Sequence, residues 1–374
     1  MRTERLMRLN KALESLTAYK AGPPLRSIRD RYGIDRVVML GANECPQGPF
    51  PEVIQALESA LPSLNRYPEG GCDDLRAALA ERLGVPGDRL VFGNGSCELL
   101  MLLGETLVAP GEHMVFAEPS FVVYETIALT RQASFDAIPL REHVHDLEAM
   151  AAAVRPDTRL VIACEPNNPT GTYVGPEALR RFLAAVPSET VVVLDEAYTE
   201  YVTHPEHVDT IPWMEEYENL VVLRTFSKIY GLAGLRIGYG LFPSNLVAAL
   251  DKLRQPYNVT SLAQVAALEA LRHPARVQER RAHVQSERGR LARELALLGV
   301  RTVPSQANFL LANVEGLTVP AEDVPQTLLE KGVVVRSGWG VGCPGWIRVT
   351  LGTVEENDLF LQTMRDMAGK EGLR

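Results

Sequence analysis

Between residues 88 and 260 short apolar runs alternate with longer stretches of helical period, the runs falling at 90–92, 113–116, 160–164, 191–194, 220–224 and 237–242. This alternation leaves few folds open. A run that is apolar at every position must be covered on both faces, and the helical stretches between runs supply the cover. The expected fold class is α/β, with a mostly parallel central sheet, helices on both faces, and a smaller α+β domain after it. Ligands of open α/β sheets gather outside the carboxyl ends of the strands, so the residues just after each run are the ones to read for chemistry.

Four such places carry candidates. The segment 225–236, TFSKIYGLAGLR, sets Lys228 behind the hydroxyls of Thr225 and Ser227 and eight residues ahead of Arg236. A desolvated lysine near other cations can lose its proton and attack a carbonyl, whereas arginine stays charged; on these residues alone a solvated surface loop is an equal reading. Asp195 closes the run 191–194 and is followed by Glu196, and strand alternation sends the two acids to opposite faces. The turn 165–171, EPNNPTG, follows the run ending at Cys164, and its repeated Asn-Pro forces extended backbone. At 93–98, GNGSCE, glycines open a helix and leave backbone N–H groups for an anion.

In this order and spacing the NNPTG turn, the Asp195 strand with Tyr198 three residues on, and the SK…R segment resemble the fold-type I aminotransferases that depend on pyridoxal 5′-phosphate. The resemblance runs from about residue 19 to the C-terminus. Tyr19 to Pro23, Asn43-Glu44, Arg66-Tyr67-Pro68 and the stretch WIRVTLG from Trp346 are similar to the histidinol-phosphate branch of that superfamily.

The resemblance implies a role for each residue. Lys228 would hold the cofactor as a Schiff base and then move a proton as general base and acid. Asp195 would keep the pyridine nitrogen protonated, with Glu196 as the alternative acid. Tyr198 and Asn168 would hydrogen-bond the ring's phenolic oxygen, Asn167 would make the turn, and Phe121 would stack on the ring. The phosphate would lie on the N–H groups of Ser96 and Cys97, the hydroxyls of Thr225 and Ser227, and Arg236. The family usually has aspartate where this chain has Cys97, so any side-chain role there would be lost. Tyr67 would reach the phosphate of a neighbouring subunit, which implies a homodimer. Arg348, with Arg336, Tyr19 and Asn43, would meet the substrate; a structural ion pair remains the other reading of Arg336. The implied partners are a small amino donor and a 2-oxo acid acceptor, with histidinol phosphate and 2-oxoglutarate first. Alternatives are an aromatic amino-acid aminotransferase, a threonine-phosphate decarboxylase, and a non-enzymatic regulator, for which the N-terminal segment is short.

Length bears on domains and charge on partners. A chain of 374 residues exceeds one ordinary core, and the expected division is an N-terminal arm at 1–45, a large cofactor-binding domain at 46–260 and a small domain at 261–374 that takes in part of the arm. A net charge of −9 opposes a nucleic-acid surface. Five cysteines without a C-x-x-C pair fit neither a disulfide framework nor a zinc ribbon. With no apolar leader and no run long enough for a membrane, a cytoplasmic protein is expected. A helix at 276–298 is expected to bury Val277, Val284, Leu291, Leu295 and Leu298 and to leave its Arg and Glu residues in solvent. Thr353 to Glu356 has capping-box spacing. The sequence 340–345 matches G-x-G-x-x-G, but a strand follows it where a dinucleotide site needs a helix. His143 with His145, and His204 with His207, read as loop residues and not as metal ligands.

Overall fold

The computed structural model describes residues 11–18, 22 and 24–369. Eleven strands, β1 (Val38–Leu40), β2 (Leu90–Gly93), β3 (His113–Glu118), β4 (Ser134–Pro139), β5 (Thr158–Cys164), β6 (Val191–Asp195), β7 (Leu220–Thr225), β8 (Gly238–Leu241), β9 (Phe309–Asn313), β10 (Val333–Ser337) and β11 (Trp346–Thr350), form two sheets. The larger has seven strands in the order β2-β8-β7-β6-β5-β3-β4, and the smaller has four in the order β1-β10-β11-β9. In the larger sheet β3, β4, β5, β6 and β7 pair in parallel, while β8 runs antiparallel to both β7 and β2. The fold is therefore the mixed α/β architecture that the alternation predicts.

The central strands are apolar on both faces because both are covered. Val192 and Leu194 of β6 pack into one core cluster, and Val193 joins another with Leu160 and Ile162 of β5. Each such side chain contributes about 1.5–3 kcal/mol on leaving water. β4 was not among the expected strands. It is an edge strand paired only with β3, its residues are half-buried or exposed, and Pro139 ends it; an edge position needs no continuous apolar run.

Apolar spacing places the long helix well, at Pro274–Leu297, with Val277, Val284, Leu291 and Leu295 buried and Leu298 just past its end. The expectation of a solvated charged face is wrong in part, since Arg280, Glu287 and Arg288 are buried. Arg280 donates to the carbonyls of Ile229 and Gly48, and Arg288 to that of Ala307 at 3.1 Å. Glu287 accepts from Asn357 at 2.7 Å and Arg290 at 2.6 Å. These charges satisfy loop carbonyls and a helix start that would otherwise be buried without partners. The final helix, Val354–Met367, opens with the capping box on Thr353 and Glu356. Among the described residues no helix is long and apolar enough to cross a membrane.

Candidate active site

Parallel pairing puts the carboxyl ends of β3, β5, β6 and β7 on one edge, and the chain after each end bears a candidate: Phe121, Asn168, Asp195 and Tyr198, and Thr225 to Lys228. β8 enters from that same edge, so Arg236, just ahead of it, lies there too. The helix Gly95–Leu107 starts there after β2. From the smaller sheet, β10 and β11 contribute Arg336 and Arg348, and Asn43 follows β1. All of these, with Ser96, Cys97 and Ser227, line a single cavity of about 400 Å³.

Lys228 is half-buried, with Nζ 3.4 Å from the Ala42 carbonyl and 5.5 Å from the centre of the Tyr198 ring. Burial, and then the Arg348 guanidinium, bring its ammonium down to about 8. Asp195 is 2 % exposed, and its Oδ2 accepts from the Tyr124 hydroxyl at 2.8 Å. Its Oδ1 is buried without a partner. Burial raises this carboxyl to about 6. Glu196 has turned to the other face, as alternation requires. It is held there by Arg224 at 2.7 Å and by the Thr210 hydroxyl, with Asp209 on the same guanidinium at 2.7 Å.

A cup of donors forms around the start of the helix Gly95–Leu107. The first N–H groups of a helix lack intrahelical acceptors, and Asn94 provides no side-chain cap. Arg236 lies across this end, with Nη2 3.2 Å from the Asn94 carbonyl and Nη1 3.3 Å from Ser227 Oγ. Thr225 Oγ1 accepts from the Ser227 N–H at 3.1 Å. Glycine is required at 95, where φ is +71° and a Cβ would lie 2.7 Å from Arg236 Nη2. Cys97 also faces the cavity, and burial holds its thiol above the usual range, hence neutral.

On the opposite wall Asn43 donates to the Tyr198 hydroxyl at 3.0 Å. Arg348 donates from Nη1 to Asn168 Oδ1 at 2.5 Å and from Nη2 to the Gly41 carbonyl at 2.8 Å. Arg348 and Arg336 face each other in register across the β10–β11 pair. Asn167 makes the turn, its side chain donating to the Pro119 carbonyl and to Thr170. Phe121 meets Tyr124 edge-on at 5.8 Å.

One expected residue is not among those lining this cavity. Tyr67 is 82 % exposed and stacks on Tyr257 at 4.8 Å, and Tyr19 lies outside the described residues. Tyr124 was missed, although it holds Asp195. It sits within the helix Val123–Arg131, where an aromatic reads as packing, and its spacing of three from Phe121 is the only signal the sequence carried. Gly340 and Val341, set aside with the glycine pattern, also line the cavity.

Residues 35–364 match the aminotransferase class I and II family. The chain is 40% identical over 365 residues to the histidinol-phosphate aminotransferase of Halalkalibacterium halodurans, covering 98% of each protein. It is 40% identical over 370 residues to that of Geobacillus thermodenitrificans, covering 98% of this chain and 100% of the relative. Among solved structures, histidinol-phosphate aminotransferase from Sinorhizobium meliloti in complex with pyridoxal-5′-phosphate superposes with a TM-score of 0.89 at 27% identity, covering 98% of both chains. A mutant aspartate aminotransferase of Thermus thermophilus reaches 0.82 at 25% identity, covering 96% of this chain and 100% of that one. A polar cavity at the carboxyl edge of a mostly parallel sheet is thus joined to sequence likeness over nearly the whole length, and this chain belongs to the class I and II aminotransferases.

Proposed function

We propose that this transaminase binds pyridoxal 5′-phosphate in the cavity described and converts histidinol phosphate and 2-oxoglutarate to imidazole-acetol phosphate and glutamate, a step of histidine biosynthesis. The residues present fit the cofactor. The unpartnered, buried Asp195 Oδ1 needs a donor, which a protonated pyridine nitrogen supplies. The donor cup at Gly95 has the charge and the open N–H groups that a phosphate needs. When bound, the cofactor supplies an aldehyde carbon for amines and a ring that withdraws electrons from the carbon beside the captured nitrogen.

The protein's own groups then have distinct tasks. Lys228 Nζ, already close to losing its proton near pH 8, is the amine that holds the cofactor. With the cofactor bound, Nζ would take the proton from the substrate carbon as base and return it as acid to the cofactor's aldehyde carbon. Asp195, fixed by Tyr124, holds the ring nitrogen's proton, and Tyr198, fixed by Asn43, donates toward the phenolic oxygen together with the Asn168 amide. Phe121 covers the ring. Ser96, Cys97, Thr225, Ser227 and Arg236 hold the phosphate.

The substrate reading is carried by the register of Arg336 against Arg348. Two guanidiniums on one cavity wall suit a dianion, and a substrate with a doubly charged phosphate matches them. Relatives named histidinol-phosphate aminotransferase at 40% identity over nearly the whole chain support the same reading. Kinetics with histidinol phosphate, phenylalanine, tyrosine and aspartate test it. A preference in kcat/KM for histidinol phosphate that Arg348→Ala selectively removes is expected; a preference for the amino acids overturns it.

We infer further that the working form is a cytoplasmic homodimer. The exposed Tyr67, stacked on Tyr257 beside the exposed Leu64, supports a subunit contact through which Tyr67 reaches the partner's phosphate. The large and small domains are taken as 46–260 and 261–374, with β1 of the arm joined to the small sheet.

A further inference from the structure

A second cavity, of about 460 Å³, opens between the turn at 141–146 and the helices Leu147–Ala152 and Pro176–Ala185. It shares no lining residue with the first. Val144, Leu147, Val174 and Phe182 make its walls largely apolar. Set among them is His145, 6 % exposed, with neither Nδ1 nor Nε2 in a hydrogen bond. The other buried histidine, His113, meets Thr158 Oγ1 at 2.8 Å through Nδ1. Buried polar atoms are satisfied in folded proteins as a rule, and an orphaned pair on one ring calls for a partner.

The cavity is far roomier than the site of a single bridging water. Its size falls in the range of small-molecule sites. Burial brings the imidazole down to about 4, so at neutral pH it offers one N–H and one lone pair, matching a ligand group that can both accept and donate. The rim carries both signs of charge. Arg141 is tied to Asp146 at 2.9 Å and Arg181 to Glu177 at 2.7 Å. The Arg181–Glu177 pair is solvent-exposed and costs little to rearrange, Arg141 is exposed while its partner Asp146 caps the helix Leu147–Ala152, and Glu148 stands exposed beside them. An apolar slot with one hydrogen-bonding group inside and a mixed-charge rim outside is complementary to a zwitterion with a flat side chain.

We propose that this cavity binds a free α-amino acid with an aromatic or heteroaromatic side chain, the ring against Val144, Val174 and Phe182 with its polar atom on His145, the carboxylate at Arg141 and Arg181, and the ammonium at Glu148. The turn forming one wall is tied to the loop that carries Asn168, since Thr172 Oγ1 donates to the His143 carbonyl at 2.8 Å and also contacts Thr170 Oγ1 at 2.8 Å. The occupant thus sits one hydrogen bond away from the segment that shapes the first cavity.

Isothermal titration of the full-length protein with L-histidine, L-tyrosine and L-tryptophan tests this. His145→Phe removes the inner partner, Ala178→Trp fills the slot, and Arg348→Ala alters only the first cavity; circular dichroism checks that each variant is folded. At least one of the amino acids binds the parent protein and Arg348→Ala alike, and binds at least about tenfold more weakly to both second-cavity variants. Crystals grown with that amino acid then show it against His145. Binding that survives His145→Phe and Ala178→Trp, that disappears in Arg348→Ala, or that is absent for all three amino acids overturns the proposal.

Discussion

Asp195 and Glu196 are adjacent, equally buried acids at the end of one strand, yet they have opposite surroundings. Glu196 points to a side where Thr210 and Arg224, itself braced by Asp209, complete its hydrogen bonding. Asp195 points to the cavity, receives one hydroxyl and keeps one oxygen unpartnered. Two carboxylates that composition cannot tell apart are thus divided by strand alternation into one whose partners lie within the fold and one that faces the cavity. The difference teaches that a buried charge with its partner in place speaks of stability, whereas one with a partner missing speaks of binding.

Variants on the two sides should therefore separate activity from stability. The largest effect is expected on the cavity side: Lys228→Ala should lower kcat by about 10⁴-fold, the upper range for a group acting in proton transfer, with a melting temperature close to that of the parent. On the other side, Arg224→Ala should leave Glu196 buried and unpaired and cost about 3–5 kcal/mol in urea unfolding, while the folded fraction keeps its kcat. If Arg224→Ala instead loses turnover without losing stability, the division between the two acids fails.

Asp195→Asn should reduce kcat by roughly 10²-fold, as for loss of a single proton-holding group, and should not destabilise the protein without cofactor at pH 8. The sign follows from the raised carboxyl. Its native value of about 6 lies above the ordinary 3.8, so the native state binds more protons than the unfolded chain between these values, and its stability falls as pH rises through them. Above about pH 6 the native state carries the full penalty, and asparagine removes it. The smallest effect concerns Lys228 itself: capture of pyridoxal phosphate by the cofactor-free protein, followed by absorbance, should quicken about tenfold per pH unit up to about 8 and then level off, as the amine deprotonates. A pH-independent rate over that range would separate capture from the Lys228 amine.

Much of this division was legible beforehand, because period-two alternation assigns Asp195 and Glu196 to different faces and the family resemblance selects Asp195 as the one toward the ligand edge. The turn with Asn167 and Asn168 and the glycines before the helix at 95 were also legible, since each needs a backbone form that few residues allow, whereas the Ser227-Lys228 pair was legible only through the family resemblance. Tyr124 was not: a hydroxyl pointing from a helix to a strand end depends on how the two pack, which one-dimensional spacing does not encode. Nor were Arg280, Glu287 and Arg288. Charged residues on a long helix read as solvent-facing until loops with bare carbonyls close over them. The edge strand β4 escaped because half of it faces water and its composition resembles that of a turn.

The antiparallel strand β8 has a consequence for how the protein is made. β2 and the helix after it appear early in the chain, but β2 reaches the large sheet only through β8, and Arg236 contacts Asn94 across 142 residues. On the ribosome, therefore, the donor cup at Gly95 stays open at one end until nearly two-thirds of the polypeptide has emerged, and it closes only when β8, the last strand of the large sheet, arrives.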